Sequence, residues 1–290
     1  MTSSSQDLIS ACIVTYQRDE TLMESLQHLL KSSLLPDEIL LVDNGRSEKL
    51  PELLKGFPIP VELIYPDGNV GCAGLNLAFV KAKGDFIFCF DDDSFPSPDC
   101  IAKAVAAFED DPSLGMIGFN MHDPQTRHPW YDPWWNPEMP EITETVFCPG
   151  CGVAFRRDQR LPEQICIPDL ISQGHELSMA AEILRLGYRI ERHPKCVAYH
   201  PDTTKGYSGE KARVGNENQL RFLIRYADTR RLAVLFLSQL LFSISGRPNE
   251  LRFFSGYLFS VTRYPLPRPI AGKFSEVFIW HIHPRLARLL

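Results

Sequence analysis

Four short apolar runs fall within the first hundred residues, and three of them end in a polar or acidic cluster. Leu8–Val14 runs into Thr15-Tyr16, Glu38–Val42 into Asp43-Asn44-Gly45, and Phe86–Phe90 into Asp91-Asp92-Asp93; Val61–Ile64 is the fourth. Continuous apolar runs of this length, bounded by turn residues, read as strands buried on both faces. Between the first two, Leu22, Leu26, Leu29 and Leu30 recur at helical spacing, Asp19 stands where a cap is expected, and Pro36-Asp37 breaks the helix. Ala73–Ala82 predicts another helix, with Gly84 just past its end. This alternation means βαβ units, hence an α/β fold with a mostly parallel central sheet flanked by helices. Right-handed crossovers bring the strand C-termini to one edge, which is where such sheets bind ligands. Thr15-Tyr16, Asp43-Asn44 and Asp91–Asp93 are therefore expected to converge on one crevice.

The middle of the chain has a different texture. Asp123–Pro140 is rich in Pro and Trp (Trp130, Trp134, Trp135) and reads as a long ordered loop. Leu177–Leu186 predicts a helix closed by Gly187, Cys196–Tyr199 a late strand, and Glu217–Tyr226 a helical region continuing through Leu232–Ile244. Beyond Gly246-Arg247-Pro248 the chain is basic and aromatic to Leu290. The expected division is an α/β domain over 1–230 and a helical extension over 231–290.

Asp91-Asp92-Asp93 is the feature richest in chemistry. Three carboxylates crowded after an apolar strand repel one another. A bound divalent cation removes that cost, and hard oxygen ligands suit Mg2+ or Mn2+, either of which also holds a diphosphate. A helix start with surplus surface acids is the plainer alternative. The formal net charge of -6 argues against a nucleic-acid partner, which demands a dense basic surface. The N-terminal MTSSSQDLIS lacks a basic region followed by an apolar run, so the eight scattered cysteines are expected to be reduced, buried thiols of a cytoplasmic protein. Cys148-Pro-Gly-Cys151 has the C-x-x-C form without a second pair or nearby His, and reads as thiols rather than zinc ligands. The longest apolar stretch, Leu232–Ile244, falls short of the roughly 20 residues that span a bilayer.

Five segments then occur in order: IVTYQRDETLMESLQHLL, EILLVDNGR, NVGCAGLNLAF, GDFIFCFDDDSFPSPD and GHELSMAAEILRLGYRI. Over roughly Leu8 to Tyr226 the chain resembles the family-2 glycosyltransferases of GT-A fold, the rhamnosyltransferase-like bacterial members above all. The resemblance implies an inverting transfer of sugar from a UDP- or dTDP-linked donor to an acceptor hydroxyl, with Mn2+ or Mg2+. It assigns Thr15, Tyr16 and Arg18 to the nucleotide cradle, Asp43 to the base, and Asn69, Gly71 and Asn76 to the glycine-rich stretch near the nucleotide. Asp91 and Asp93 match the outer acids of the D-x-D motif and Asp92 its middle, nucleotide-sugar position. Asp43 equally suits a turn before Gly45. His200, after the late strand, matches a third metal ligand. Gly150, Cys151 and Gly152 match the strand bordering the acceptor, where Trp130 offers a face for a sugar ring.

Family members carry Glu-Asp before the helix that precedes Gly187-Tyr188; here the pair is His175-Glu176. Glu176 falls on the position of the general base, which must take the proton of the attacking hydroxyl. His175, titratable near neutrality, competes for that role. Lys205, Tyr207 and Arg213 follow in a loop suited to closing over a diphosphate. The extension combines apolar Leu235, Phe236, Leu240, Leu241 and Phe242 with Arg230, Arg231, Arg247, Arg252, Arg263 and Arg268. Such a face suits the inner surface of the cell membrane, where lipid-linked saccharide acceptors lie, or packing on the core or a second copy in a homodimer. The competing classes are a sugar nucleotidyltransferase and a non-catalytic nucleotide-sugar-binding protein. The first expects a Gly-rich basic phosphate loop, which Ile13-Val14-Thr15-Tyr16-Gln17-Arg18 is not.

Overall fold

A computed structural model describes residues 7–130, 141–146, 148–168, 170–202, 210–226, 233, 234 and 236–238. The chain forms two compact units, Met1–Tyr207 and Ser208–Leu290. In the first, strands β1 (Ile9–Thr15), β2 (Glu38–Asp43), β3 (Val61–Ile64) and β4 (Phe86–Asp91) alternate with helices α1 (Asp19–Leu29), α2 (Leu50–Leu53) and α3 (Leu75–Lys81). There follow β5 (Phe95–Pro96), α4 (Cys100–Asp110), β6 (Leu114–His122), β7 (Thr143–Glu144), β8 (Gly152–Arg156), α5 (His175–Arg185) and β9 (Arg189–Tyr199). The described part of the second unit contains α6 (Glu210–Tyr226), whose last turns bury Phe222 and Tyr226 with ring centroids 4.9 Å apart.

The strands form a single nine-stranded sheet in the order β3-β2-β1-β4-β8-β6-β9-β5, with β7 also on β9. β3, β2, β1 and β4 are parallel neighbours, as the strand–helix rhythm requires. Beyond β4 the sheet is mixed. β8 runs antiparallel to both β4 and β6, while β6 and β9 are again parallel. The expected mostly parallel α/β sheet is thus present with β8 reversed at its centre and the two-residue strands β5 and β7 antiparallel to β9. That reversal matters for the site, because it brings the start of β8, not its end, to the edge where β1, β2 and β4 finish.

Phe86, Phe88, Phe90, Phe108 and Phe119 form the middle of the core, with Phe86 stacked on Phe108 at 4.9 Å. Leu22, Leu26 and Leu29 of α1 are buried with them, each such side chain contributing roughly 1.5–3 kcal/mol of transfer free energy. Asp19 does not cap α1. It is the first helical residue, and its carboxylate accepts a hydrogen bond from Ser47 Oγ at 2.6 Å, tying α1 to the loop after β2. Gly187, at φ 89°, closes α5 in the left-handed conformation that a side chain resists. No helix among the described residues is long and apolar enough to cross a membrane.

Candidate active site

Sheet register sets the polar strand ends side by side. Thr15 pairs with Asp43 on β2, and Val14 with Asp91 on β4. Thr15 Oγ1 donates to Asp92 Oδ2 at 2.8 Å. Arg18 spans the next two acids, 2.9 Å from Asp92 Oδ1 and 2.5 Å from Asp93 Oδ2. The turn between them places Gln17 at φ 56°, a left-handed conformation held against Gly45. Burial, with Asp93 and Asp91 alongside, pushes Asp92 up to about 6 against the pull of Thr15 and Arg18. For Asp93 burial acts the same way but His200 and Arg18 outweigh it, holding this carboxyl well below the usual range. The three acids therefore differ in task. Asp92, assigned by the motif to nucleotide-sugar binding, is buried and occupied by Thr15 and Arg18; Asp91 is 44% exposed at its side chain.

His200 follows β9 and faces the acids, its Nε2 lying 3.1 Å from Asp93 Oδ1 and 3.5 Å from Asp91 Oδ2. Burial opposes charging the ring, but the two carboxylates prevail and raise it to about 10. Its Nδ1–H donates to the Pro201 carbonyl at 2.7 Å, so Nε2 is the atom turned to the acids. With Nδ1 so committed, Nε2 is the nitrogen that could bind a cation once its proton has left. One ligand atom from each of Asp91, Cys151 and His200 lies within 4.8 Å of the others, a donor set able to hold a metal ion. Asp93 is outside that group; Arg18 and the His200 imidazole engage it. The backbone of His200 is held on both sides: its N–H donates to the His122 carbonyl at 3.0 Å, and Trp130 Nε1 donates to the His200 carbonyl at 3.0 Å. Trp130, expected at the acceptor, thus has its indole N–H committed to a neighbour of the acids and its ring edge-on to His200 at 4.9 Å.

The second half of the site is built by α5 and the turn before β8. Gln173 and Gly174, at φ 62° and 84°, deliver the chain into α5 in two successive left-handed steps. His175 Nδ1 then lies 3.3 Å from Glu176 Oε2 and has no hydrogen-bond partner among the described residues. Burial lowers the His175 pKa, but the net effect of Cys72, Glu176 and Asp91 raises it to about 10. A Cβ on Gly150 would sit 2.4 Å from His175 Nε2 and 3.1 Å from Glu176 Oε2. Glycine at 150 is what lets these two side chains approach the start of β8. Gly152 is different: its Cβ would strike Met121 Sδ at 2.5 Å, a requirement of core packing.

On the β2 side, Asp43 is fully buried. Its Oδ1 accepts from Gly45 N at 2.8 Å and its Oδ2 from Ser47 N at 2.7 Å, the turn-forming arrangement that its sequence also suits. Asn44 links this turn to the glycine-rich stretch, accepting from Val70 N and donating to the Gly71 carbonyl. Asn69 Oδ1 accepts from Gly71 N at 2.9 Å, and Asn69 itself is exposed. Gly71, at φ 59°, admits the backbone of Ile171 where any side chain would collide at 2.1 Å. Asn76, expected near the nucleotide, is a tether: its amide donates to the Cys166 carbonyl at 2.9 Å and accepts from Cys166 N at 2.8 Å. Tyr16, 46% exposed, remains open at the end of β1. Trp134, Trp135, Lys205 and Tyr207 lie outside the described residues.

The sequence-based expectations missed Asp123 and the partners of Cys151 and Asn44. Cys151 was expected, with Gly150 and Gly152, on the strand bordering the acceptor; its neighbours in the structure are Asp91 of β4 and His200 after β9. Asn44 was expected at the end of β2 without its tie to the glycine-rich stretch, and Asp123 was not singled out; Asp123 Oδ2 accepts from Asp202 N at 3.2 Å, two residues past His200. The Asp-Pro-Gln-Thr turn that begins at Asp123 was the available signal for that residue.

The model of the family described as glycosyl transferase family 2 matches residues 10–158, just over half of the chain. The chain belongs to that family. As a family-2 glycosyltransferase it is 29% identical to the galactofuranosyltransferase GlfT1 of Mycolicibacterium smegmatis over 126 residues, 41% of this chain and 42% of that one. The matched stretch spans less than half of that relative's own length. Among solved structures, GalNAc-T7 with UDP, GalNAc and Mn2+ superposes with a TM-score of 0.62 at 17% identity, covering 92% of this chain and 59% of that chain. The mannosyltransferase PcManGT from Pyrobaculum calidifontis, with GDP-Man and Mn2+, gives 0.55 at 18%, covering 90% and 77%. At such identities the likeness carries the fold. The family match includes the Thr15–Arg18 and Asp91–Asp93 segments and the Gly150 turn of this glycosyltransferase, and stops short of His175, Glu176 and His200.

Proposed function

We propose that this glycosyltransferase moves a sugar, with inversion, from a UDP- or dTDP-linked donor to an acceptor hydroxyl, assisted by Mn2+ or Mg2+. The observation that carries the reading is the Gly150-Cys151 turn. Gly150 faces His175 and Glu176, and Cys151 beside it shares a donor cluster with Asp91 and His200. A carboxylate able to accept a proton and a donor set able to hold a cation flank the same two residues. The UDP, GDP-Man and Mn2+ held by the two neighbouring structures support the donor class and the metal.

In this reading Glu176 takes the acceptor hydroxyl's proton as that oxygen attacks the anomeric carbon. Attack from the face opposite the departing diphosphate inverts the carbon. Asp91 and His200, with Asp93 against the same imidazole, would hold a divalent cation, which when bound would supply positive charge near the departing diphosphate. Tyr16 and Asn69 offer exposed groups to the nucleotide, while Asp43, Asn44 and Asn76 fix the backbone they stand on. His175 holds the Glu176 carboxylate, and Trp130 fixes the position of His200.

The acceptor proposed is a saccharide or lipid-linked saccharide of cell-surface polysaccharide or glycolipid synthesis, reached from the cytoplasmic side. The extension from residue 231 is proposed to meet the membrane; exposed Phe236 and Leu237 support this. The test is release of nucleoside diphosphate from a panel of UDP-, dTDP- and GDP-sugars with Mn2+, with and without chelator and saccharide acceptors. Metal-dependent release from at least one donor is expected. Donor binding without release across the acceptor panel would favour the non-catalytic reading.

A further inference from the structure

We propose that Cys151 is a direct thiolate ligand of the metal site, which makes this a mixed oxygen, nitrogen and sulfur centre. The inference rests on the metal-dependent reading above and adds a donor that the acidic motif does not contain. Its basis is placement. β8 runs antiparallel to β4, so the turn that opens β8 stands beside the end of β4. There Cys151 comes within 4.8 Å, atom to atom, of Asp91 and His200. Ligands sharing one ion through bonds of about 2.0–2.3 Å lie at most ~4.6 Å apart, so the three need only a small contraction.

Three further observations fit. Cys151 is buried in contact with the core, and its carbonyl accepts from Ser94 Oγ at 2.5 Å, which fixes its backbone directly behind the acids. His200 presents Nε2 because Nδ1–H is committed to Pro201. Asp93, expected as a ligand beside Asp91 and His200, is engaged by Arg18 and lies outside the cluster. The donors that converge are thus one carboxylate, one imidazole and one thiol. On binding, the Cys151 S–H bond and the His200 Nε2–H bond break, both protons leave to solvent, and sulfur–metal and nitrogen–metal bonds form. Thiolate and imidazole donors favour Co2+ and Zn2+ over Mn2+, and Mn2+ over the hard Mg2+.

The experiment is a Co2+ titration of the full chain, with UDP present and absent, followed by ultraviolet–visible absorption and by calorimetry in buffers of different ionisation enthalpy. A sulfur-to-cobalt charge-transfer band at one equivalent is expected, with about two protons released per ion bound near neutral pH, one from Cys151 and one from His200. Cys151→Ser and Cys151→Ala should each lose the band and weaken Co2+ binding by at least about 10-fold, since even outer-shell partners are worth 10–100-fold. Cys148→Ser should keep the band. Co2+ binding with ligand-field bands but no charge transfer would overturn the thiolate ligand and leave the metal site standing. A band that survives both Cys151 variants would overturn it too. Failure of both Co2+ and Mn2+ to bind, with or without UDP, would overturn the metal reading itself and the thiolate with it. Should the variants not fold, the wild-type spectrum and proton count decide.

Discussion

Thr15 and Asp92 stand 77 residues apart in the sequence, yet the buried hydroxyl of one donates to the buried carboxylate of the other at 2.8 Å. The bond joins the ends of two neighbouring parallel strands and turns the middle acid of the Asp91–Asp93 run inward. Arg18 completes the clamp from the loop between β1 and α1. The middle acid therefore ties the loop after β1 to the end of β4, and the outer two meet the imidazole of His200.

That clamp predicts a stability effect. Thr15→Val keeps the shape and leaves the carboxylate one hydrogen bond short, which costs about 1–3 kcal/mol for a buried charged acceptor. Asp92→Asn removes the charge that Arg18 pairs with. Because the residues touch, the double variant should depart from additivity by ~0.5 kcal/mol or more. Urea denaturation of the four proteins checks this. Additive losses would mean that the hydroxyl and the carboxylate are not coupled.

Gly150→Ala tests the approach of α5 to β8. Its Cβ would lie 2.4 Å from the buried His175 imidazole, so that ring or the turn must shift. Displacing His175 and Glu176 by even about 1 Å should lower kcat on the order of 100-fold. Mn2+ affinity, set by other residues, should change far less. Equal losses in both would show that the two halves of the site do not separate at this residue. Circular dichroism distinguishes displacement from unfolding.

The parallel half of the sheet was legible because Ile9–Thr15, Glu38–Asp43 and Phe86–Asp91 are continuous apolar runs that end in polar clusters. Their convergence followed from the handedness of the crossovers. The direction of β8 was not legible: Gly152–Arg156 is too short to carry a pattern, and only its pairing with both β4 and β6 defines it. Helix α4 and strand β6 were absent from the expectations, and Gly115 and Gly118 interrupt the apolar run of β6. Within the site, residue types were legible and their partners were not. Asp19, Asn76 and Asp43 each carry a polar group that suits a cap, a ligand or a turn, and only tertiary contacts decide among these. Cys151 shows the same limit: its spacing to Cys148 is visible in sequence, whereas its nearness to Asp91 and His200 is a product of the reversed strand.

Trp130→Phe keeps a ring beside His200 and deletes the indole N–H that holds the His200 carbonyl. If Trp130 positions the ligand, Mn2+ affinity should fall about 10- to 100-fold, as for other outer partners of metal ligands. The acceptor KM at saturating Mn2+ should then stay near the wild-type value. A raised acceptor KM with unchanged Mn2+ affinity would return Trp130 to the sugar-stacking role.

Asp123 predicts a pH effect away from the acids. Backbone N–H groups of Thr126, Asp202 and Gln125 hold its carboxyl down to about 2. A depressed carboxyl contributes stability that is present above its unfolded pKa, about 3.9, and is lost as pH falls through its folded value. Asp123→Asn should therefore lower Tm by a constant amount above about pH 5. The gap to wild type should narrow between about pH 4 and pH 2. A gap independent of pH over that range would mean that ionisation of Asp123 plays no part in holding the turn.

Glu176→Gln is the decisive change for the chemistry. It keeps the shape of the side chain against Gly150 and removes its basicity. A group that acts mainly in the transition state should lower kcat strongly and leave donor affinity close to wild type. General-base assistance sets the expected loss at about 100- to 10,000-fold. His175→Ala should cost less in kcat, because His175 Nδ1 lies 3.3 Å from the Glu176 carboxylate and acts on the acceptor only through it. The opposite ranking, an inactive His175→Ala beside an active Glu176→Gln, would move the base to the imidazole. Product configuration tests what both assignments share. Nuclear magnetic resonance of the first product should show the inverted anomer, and a retained anomer would rule out direct displacement whichever of the two residues takes the proton.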